Sequence, residues 1–410
     1  MRFRIKFISH PEYENQHIPM VVDSDCAEFP EPSAALWGWS LWLSHPLNTV
    51  EGRLRDLCVF YEFVEKECQH FFEDAAALKL LTMRDVNRLS SFLLINFQHE
   101  LSNGVMVKPS TFNRRIDSVS KFLRFHYTRY IERVNDLEKA DTINKKMNSI
   151  ISFFSKKKYS KSEVENQTNV SEPLSEADLD LITTIIRPSK DNFINEVNPF
   201  RTQLQVRNAC LIMLMCELGG RISEIVLFHC NDNDLRLTTN PTVRIQQQSK
   251  NNPAFRGRKD SASHKTRNRE LPISRGLADL LIEYIEDYRP KLRRPCQGKL
   301  TDYLFVSEKD GGPMTTSGVT HVLKSVFKDH PYLKSLIHPH RLRTTRITQL
   351  REGVDKSFDG KNSPMIKAGE MQDILTTWGG WSTTSTMPRR YTNAHLQRKL
   401  NEYLKGVGKK

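Results

Sequence analysis

The chain has 410 residues, 38% of them hydrophobic and 27% charged, with a formal net charge of +13. That length holds roughly two or three domains with cores of their own. The composition is ordinary for a soluble globular protein, and no apolar run is long enough to cross a bilayer. The cationic excess favours a polyanionic partner, because neutralising phosphates releases their counterions.

The opening stretch, Met1-Arg2-Phe3-Arg4-Ile5-Lys6-Phe7, is too broken by charge for a secretory leader. Its alternating Phe3, Ile5 and Phe7 predict a short strand, and Pro30 and Pro32 then interrupt the chain before the Trp37–Trp42 stretch. Residues 1–48 read as an irregular N-terminal extension of unknown role, either a nucleic-acid-contacting arm or a cap on the domain that follows. Seven scattered cysteines (Cys26, Cys58, Cys68, Cys210, Cys216, Cys230, Cys296), none in a C-x-x-C pair, predict reduced thiols. The thirteen histidines form no metal-binding pattern. These features predict a cytoplasmic, nucleoid-associated protein with no membrane partner.

Residues 49–154 read as a helical domain. Leu54, Leu57, Tyr61 and Val64 recur at helix spacing, as do Val86, Leu89, Leu93 and Phe97. A third helix is predicted to open at Ser110 as N-cap and to bury Phe112, Ile116, Val119, Leu123 and Tyr127. Its other faces carry Arg114, Arg115, Lys121 and Arg124, candidates for phosphate contact. Residues 155–175, rich in lysine and serine, read as a flexible basic linker in which Lys156, Lys157 and Lys158 are further candidates.

Residues 176–410 read as a second domain, mainly helical with a small antiparallel sheet. An apolar helix, Val206–Leu218, stops at Gly219-Gly220. Thr242–Gln246 and Arg269–Ile273 read as two strands around a long basic loop containing Arg256, Arg258 and Lys259. Helices are expected at Gly276–Tyr288, Thr316–Phe327 and Arg341–Arg351, with a flexible insertion at Asp359–Pro364.

Four short stretches in this domain carry chemistry: Gly219-Gly220-Arg221-Ile222-Ser223-Glu224, His340-Arg341-Leu342-Arg343, Gly380-Trp381-Ser382 and Arg390-Tyr391. An arginine fork never loses its proton at working pH and donates two parallel hydrogen bonds to a phosphate. His340 and Arg343, three residues apart, share a helix face, and an imidazole is the natural proton shuttle near neutrality. A phenol with a pKa near 10 needs such neighbours before it can attack. Glu224, one turn beyond Arg221, is placed to orient it or to cap its helix. His338 reads as structural. Taken singly, each is an ordinary residue; Arg221 alone would be assigned to the surface.

The order and spacing resemble the tyrosine recombinase (phage integrase) family over about residues 176–405, and the helical 49–154 region is more loosely similar to that family's core-binding domain. The resemblance implies a helical DNA-clamping domain joined to a mixed α+β catalytic domain of the DNA breaking–rejoining type. It implies a site-specific recombinase that cuts and rejoins double-stranded DNA through a covalent 3′-phosphotyrosine, in a tetrameric synapse, with no metal, ATP or other cofactor. Carried over residue by residue, it implies catalytic Arg221, His340, Arg343 and Trp381, the nucleophile Tyr391, supporting Glu224, and a general-acid lysine that is Lys265 or its rival Lys250. Trp381 stands where histidine is usual, one residue further from the tyrosine than is common, with Pro388 between them. A type IB-like topoisomerase, a telomere resolvase and a catalytically idle DNA-binding regulator of the same fold are the alternatives. The stretch Leu396–Leu404 is expected to form an amphipathic helix that docks on a neighbouring subunit or closes its own domain.

Overall fold

The computed structural model describes the whole chain except residues 10–16, 98–104, 167–171, 191, 248–259, 261, 265, 293–300, 358–363 and 408–410. It divides into two compact units, Met1–Asn169 and Val170–Lys410. Among the described residues no helix is long and apolar enough to cross a membrane.

The first unit begins with an antiparallel sheet of β1 (Phe3–Ser9), β2 (His17–Asp23) and β3 (Phe29–Pro30), in the order β1-β2-β3. Helices α1 (Pro32–Trp42), α2 (Leu47–Glu67), α3 (Phe71–Ala76), α4 (Met83–Leu93), α5 (Pro109–Ile131), α6 (Leu137–Ser155) and α7 (Lys161–Asn166) follow. Residues 1–48 are therefore neither irregular nor separate. Phe3, Val21, Ala34 and Trp37 share one core with Leu57, Phe60 and Tyr61 of α2 and Ile116, Val119 and Phe122 of α5. The backbone N–H of Phe3 also donates to the buried Glu62 carboxylate at 2.9 Å, tying β1 to α2. The cap of α5 differs from expectation: Lys108 holds the N-cap position and Pro109 the first turn, where its missing N–H costs nothing.

The supposed linker is partly structured as well. Tyr159 packs on Phe112 with ring centroids 5.4 Å apart. Its backbone N–H donates to Asn113 Oδ1 and its carbonyl accepts from Asn113 Nδ2, both at 2.9 Å. The start of the basic stretch thus belongs to the first unit, because one aromatic residue in a lysine-rich run suffices to dock it.

The second unit is built around α9 (Thr202–Leu218), preceded by α8 (Glu176–Ile186) and followed by the single turn α10 (Ile222–Ile225). Most of α9 is buried, including both apolar and polar positions, as a central helix requires. A sheet in the order β4-β5-β6 comprises β4 (Leu235–Arg236), β5 (Thr242–Ile245) and β6 (Arg269–Pro272). Then come α11 (Arg275–Glu283), continued by a π turn over Tyr284–Tyr288, and α12 (Thr316–Val326) and α13 (Pro331–Leu336). The chain ends with α14 (Pro339–Ser357), α15 (Pro364–Gly379), α16 (Met387–Tyr391) and α17 (Asn393–Val407). Helix α14 packs on α9 with one face and on α15 and α16 with another. On that second face Ile347, Val354, Met371, Leu375, Trp381 and Tyr391 form a small apolar cluster of their own.

Candidate active site

Arg221 is placed by how α9 ends. Gly219 adopts a left-handed φ of 56° and returns its N–H to Met215 O, so the chain reverses without Cβ strain. Arg221 then becomes the N-cap of α10, and its backbone N–H donates to Glu224 Oε2 at 3.0 Å. The Arg221 guanidinium also donates to Glu224 Oε1, at 3.3 Å. Glu224 is completely buried. Burial pushes its pKa up, but Arg269 and Arg343, with hydrogen bonds from Thr266 and the Arg221 backbone, outweigh that and hold it at about 2. It is a carboxylate at neutral pH.

Helix α14 carries the His-x-x-Arg pair. His338 Nδ1 accepts the Arg341 N–H at 3.1 Å, a structural role at the helix start, as expected. Arg343 is 2% exposed, and its guanidinium donates to Gly219 O at 2.6 Å and to Gly379 O at 3.1 Å. The side chain therefore bolts the end of α9 to the end of α15. Burial first, then the neighbouring Arg221, lowers its pKa to about 10, still cationic at neutrality. His340 has its pKa lowered by partial burial, then by His338, Arg343, Arg390 and Arg221. Its imidazole is neutral at pH 7 and faces a pocket of cations.

Tyr391 closes the group. Its ring stacks on Trp381 with centroids 5.3 Å apart and planes at 18°, and lies 5.2 Å from the His340 ring. Arg343 Cζ sits 5.0 Å from the Trp381 centroid and 5.2 Å from that of Tyr391. Pro388, between the two rings in sequence, lies in the first turn of α16, the short helix that presents Tyr391. Thr348 of α14 donates to Tyr391 O at 3.4 Å, and Arg351 donates to Thr392 Oγ1 at 2.7 Å. Two buried donors, Trp381 Nε1 and Arg343 Nε, have no partner among the described residues. Unpaired buried donors are costly, and here they lie beside the phenol.

Both lysine candidates, Lys250 and Lys265, lie outside the described residues, as do Arg256, Arg258 and Lys259. The flank of that hairpin holds residues the sequence reading missed. Thr266 Oγ1 donates to Glu224 Oε1 at 2.6 Å, and Arg269 donates to Glu224 Oε2 and to Thr266 Oγ1, each at 2.8 Å. A signal was available. Arg269 and Leu271 are alternate residues of one strand, so they face the same way, and an arginine on the apolar face must find a buried partner.

The basic residues of the first unit separate into kinds. Lys121, Arg124 and Lys156 are exposed, Arg124 holding Asn148 Oδ1 at 2.8 Å. Arg114 is half-exposed and ion-paired to the buried Asp56 at 2.9 Å. Lys157 lies 4.7 Å from the centroid of the Phe153 ring, and Lys158 pairs with Asp117. Arg115 departs from expectation: it is buried, donating to Leu93 O at 2.6 Å and to Ile95 O at 2.8 Å, and it anchors the end of α4 rather than facing solvent.

With this geometry in view, the comparisons with known proteins are direct. The model of the phage integrase family matches residues 189–358, which include Arg221, Glu224, His340 and Arg343 but not Trp381 or Tyr391. Tyrosine recombinase XerC of Bacillus pumilus is 29% identical over 160 residues, 39% of this chain and 46% of that protein. XerC of Halalkalibacterium halodurans is 31% identical over 148 residues, covering 36% and 42%, and XerD of Listeria innocua 27% over 151, covering 37% and 43%. The chain spans less than half the length of these curated relatives. In fold, it resembles XerH site-specific recombinase, crystallised bound to a palindromic difH substrate, with a TM-score of 0.52 at 14% identity over 92% of this chain and 85% of that one. The class these comparisons point to is the phage integrase, or tyrosine recombinase, family, which the second unit resembles over the matched residues.

Proposed function

We propose that the protein is a site-specific DNA recombinase that cuts and rejoins double-stranded DNA through Tyr391. The observation that carries this reading is the stacking of Tyr391 on Trp381, beside His340, with the Arg343 guanidinium against both rings. Tyr391 Oη attacks phosphorus, the bond from phosphorus to the 5′-oxygen breaks, and a 3′-phosphotyrosyl bond forms. Neutral His340 takes the phenolic proton. Arg221 and Arg343 stabilise the negative charge on the non-bridging oxygens, and the Trp381 indole N–H adds a third donor. The leaving 5′-oxygen takes a proton from the hairpin lysine, Lys265 in preference to Lys250. A second 5′-hydroxyl then reverses the step. The phosphodiester energy is kept in the protein–DNA bond, so the exchange needs neither metal nor ATP.

Exchange between two duplexes calls for several copies, and a tetrameric synapse on nucleoid DNA is the assembly proposed. Helix α17 offers a surface for it: Leu396, Leu400 and Leu404, four residues apart, are all exposed. Exposed Lys121, Arg124 and Lys156 are proposed to meet phosphate.

Nicked duplexes from a genomic library, incubated with the wild-type protein, are expected to leave a covalent adduct whose peptide carries the DNA on Tyr391. Tyr391→Phe is expected to leave none, and equal trapping by that variant would overturn the assignment. Sequencing the trapped DNA gives the target. Relaxation of supercoils without joining of two sites would assign the same chemistry to a topoisomerase.

A further inference from the structure

The chemistry above accounts for Arg221, His340, Arg343, Trp381 and Tyr391, but not for the buried Arg269. Its side chain is 2% exposed and that of its partner Glu224 is fully buried. A buried ion pair is a poor source of stability, since an apolar pair of like volume often does as well. What Arg269 does supply is geometry. One end of its guanidinium holds Glu224 Oε2 at 2.8 Å, and Glu224 in turn holds both the backbone and the side chain of Arg221. The other end holds Thr266 Oγ1 at 2.8 Å and fills the space beside Gly380. A Cβ at Gly380 would lie 2.6 Å from Arg269 Nη1 and 2.8 Å from Thr266 Cβ. Next to this contact, Arg267 N–H donates to Gly380 O at 3.0 Å. Trp381, stacked on Tyr391, is the following residue.

We infer that Arg269 is a positioning residue that joins three segments distant in sequence: the Arg221 turn, the hairpin strand β6, and the turn that presents Trp381 to Tyr391. Through Glu224 it sets the aim of the Arg221 guanidinium. Through Gly380 it sets the plane of the indole against which the phenol stacks. It touches neither DNA nor the reacting atoms. Arginine is required because one planar fork serves Glu224 and Thr266 at once; a lysine keeps the charge and loses the second bond. The inference rests on the recombinase reading for its consequence in rate, but not for the geometry itself.

The test uses the full chain with Arg269→Lys and Thr266→Val, and Arg269→Met as the harsher change. The protein is labelled with 5-fluorotryptophan, its five tryptophans assigned by single replacement. In Arg269→Lys the Trp381 fluorine resonance is expected to move while that of Trp37, in the other unit, stays. On nicked duplex, DNA affinity is expected to hold within about 2-fold while adduct formation slows roughly 10- to 100-fold, the cost of a misplaced catalytic group. The slowing is expected to shrink on a neutral methylphosphonate at the scissile position, where a charge clamp has less to hold. A purely structural role would slow both substrates equally. An unmoved Trp381 resonance in both Arg269→Lys and Thr266→Val, or equal slowing on the two substrates, would overturn the inference. If the wild type forms no adduct, the recombinase reading fails, and the fluorine spectra still decide the role of Arg269.

Discussion

His340 shows how neighbours tune a single group. Partial burial and the neighbouring His338, Arg343, Arg390 and Arg221 all disfavour its charged form, so its pKa lies below the ordinary 6.5. As the base of the proposed reaction it would work when neutral, so activity is expected to be retained at pH 7 and lost only as the pH falls through a value below 6.5. The kcat/KM profile, which reports the free enzyme, is expected to show that acid limb, and His340→Gln to abolish it. Bound phosphate is anionic and favours the imidazolium, so in single turnovers on prebound DNA the limb is expected at higher pH. A free-enzyme limb above 6.5 would contradict the assignment of His340 as the base. Arg343, by contrast, keeps its charge despite burial, because even a pKa of about 10 leaves it protonated across this range.

Among the elements, the turns matter more than the helices they join. Gly219 and Gly380 both adopt left-handed φ, 56° and 66°, and each is crowded where a Cβ would stand, by Arg346 and by Arg269 with Thr266. Gly353, within α14, has open space instead. Gly380→Ala is expected to cost about 1–3 kcal/mol in backbone strain and to lower adduct formation by displacing Trp381. Gly353→Ala is expected to stabilise the protein by about 0.5–1 kcal/mol. Urea unfolding of the two variants checks the contrast, and equal effects would show that the crowding at Gly380 is relieved without consequence.

For the molecule taken whole, the charge of +13 is expected to govern how the proposed recombinase meets DNA. Each phosphate neutralised releases counterions, so the logarithm of affinity is expected to fall linearly with that of salt concentration. Replacing the exposed Lys121 or Arg124 by alanine is expected to reduce that slope by about 1 each. Arg115→Ala is expected to leave the slope unchanged and destabilise the first unit, because it strips hydrogen bonds from the carbonyls of Leu93 and Ile95. Binding isotherms at several salt concentrations, beside thermal melts, separate the two behaviours.

The grouping of Arg221, His340, Arg343, Trp381 and Tyr391 was implied by a family resemblance; residue order alone was enough for the helical stripes of α2 and α5, the stop at Gly219, and the strands β5 and β6. Those are local or periodic properties: side-chain spacing selects the face, and glycine selects the turn. Residue order did not show that residues 1–48 complete a core, that Arg115 turns inward, or that Glu224 answers to Arg269 as much as to Arg221. Each of these depends on a contact across a long stretch of chain, 45 residues between Glu224 and Arg269. A charged side chain reads the same in sequence whether it faces water or a buried partner. Only packing distinguishes them, because burial makes an unpaired charge too costly to leave alone.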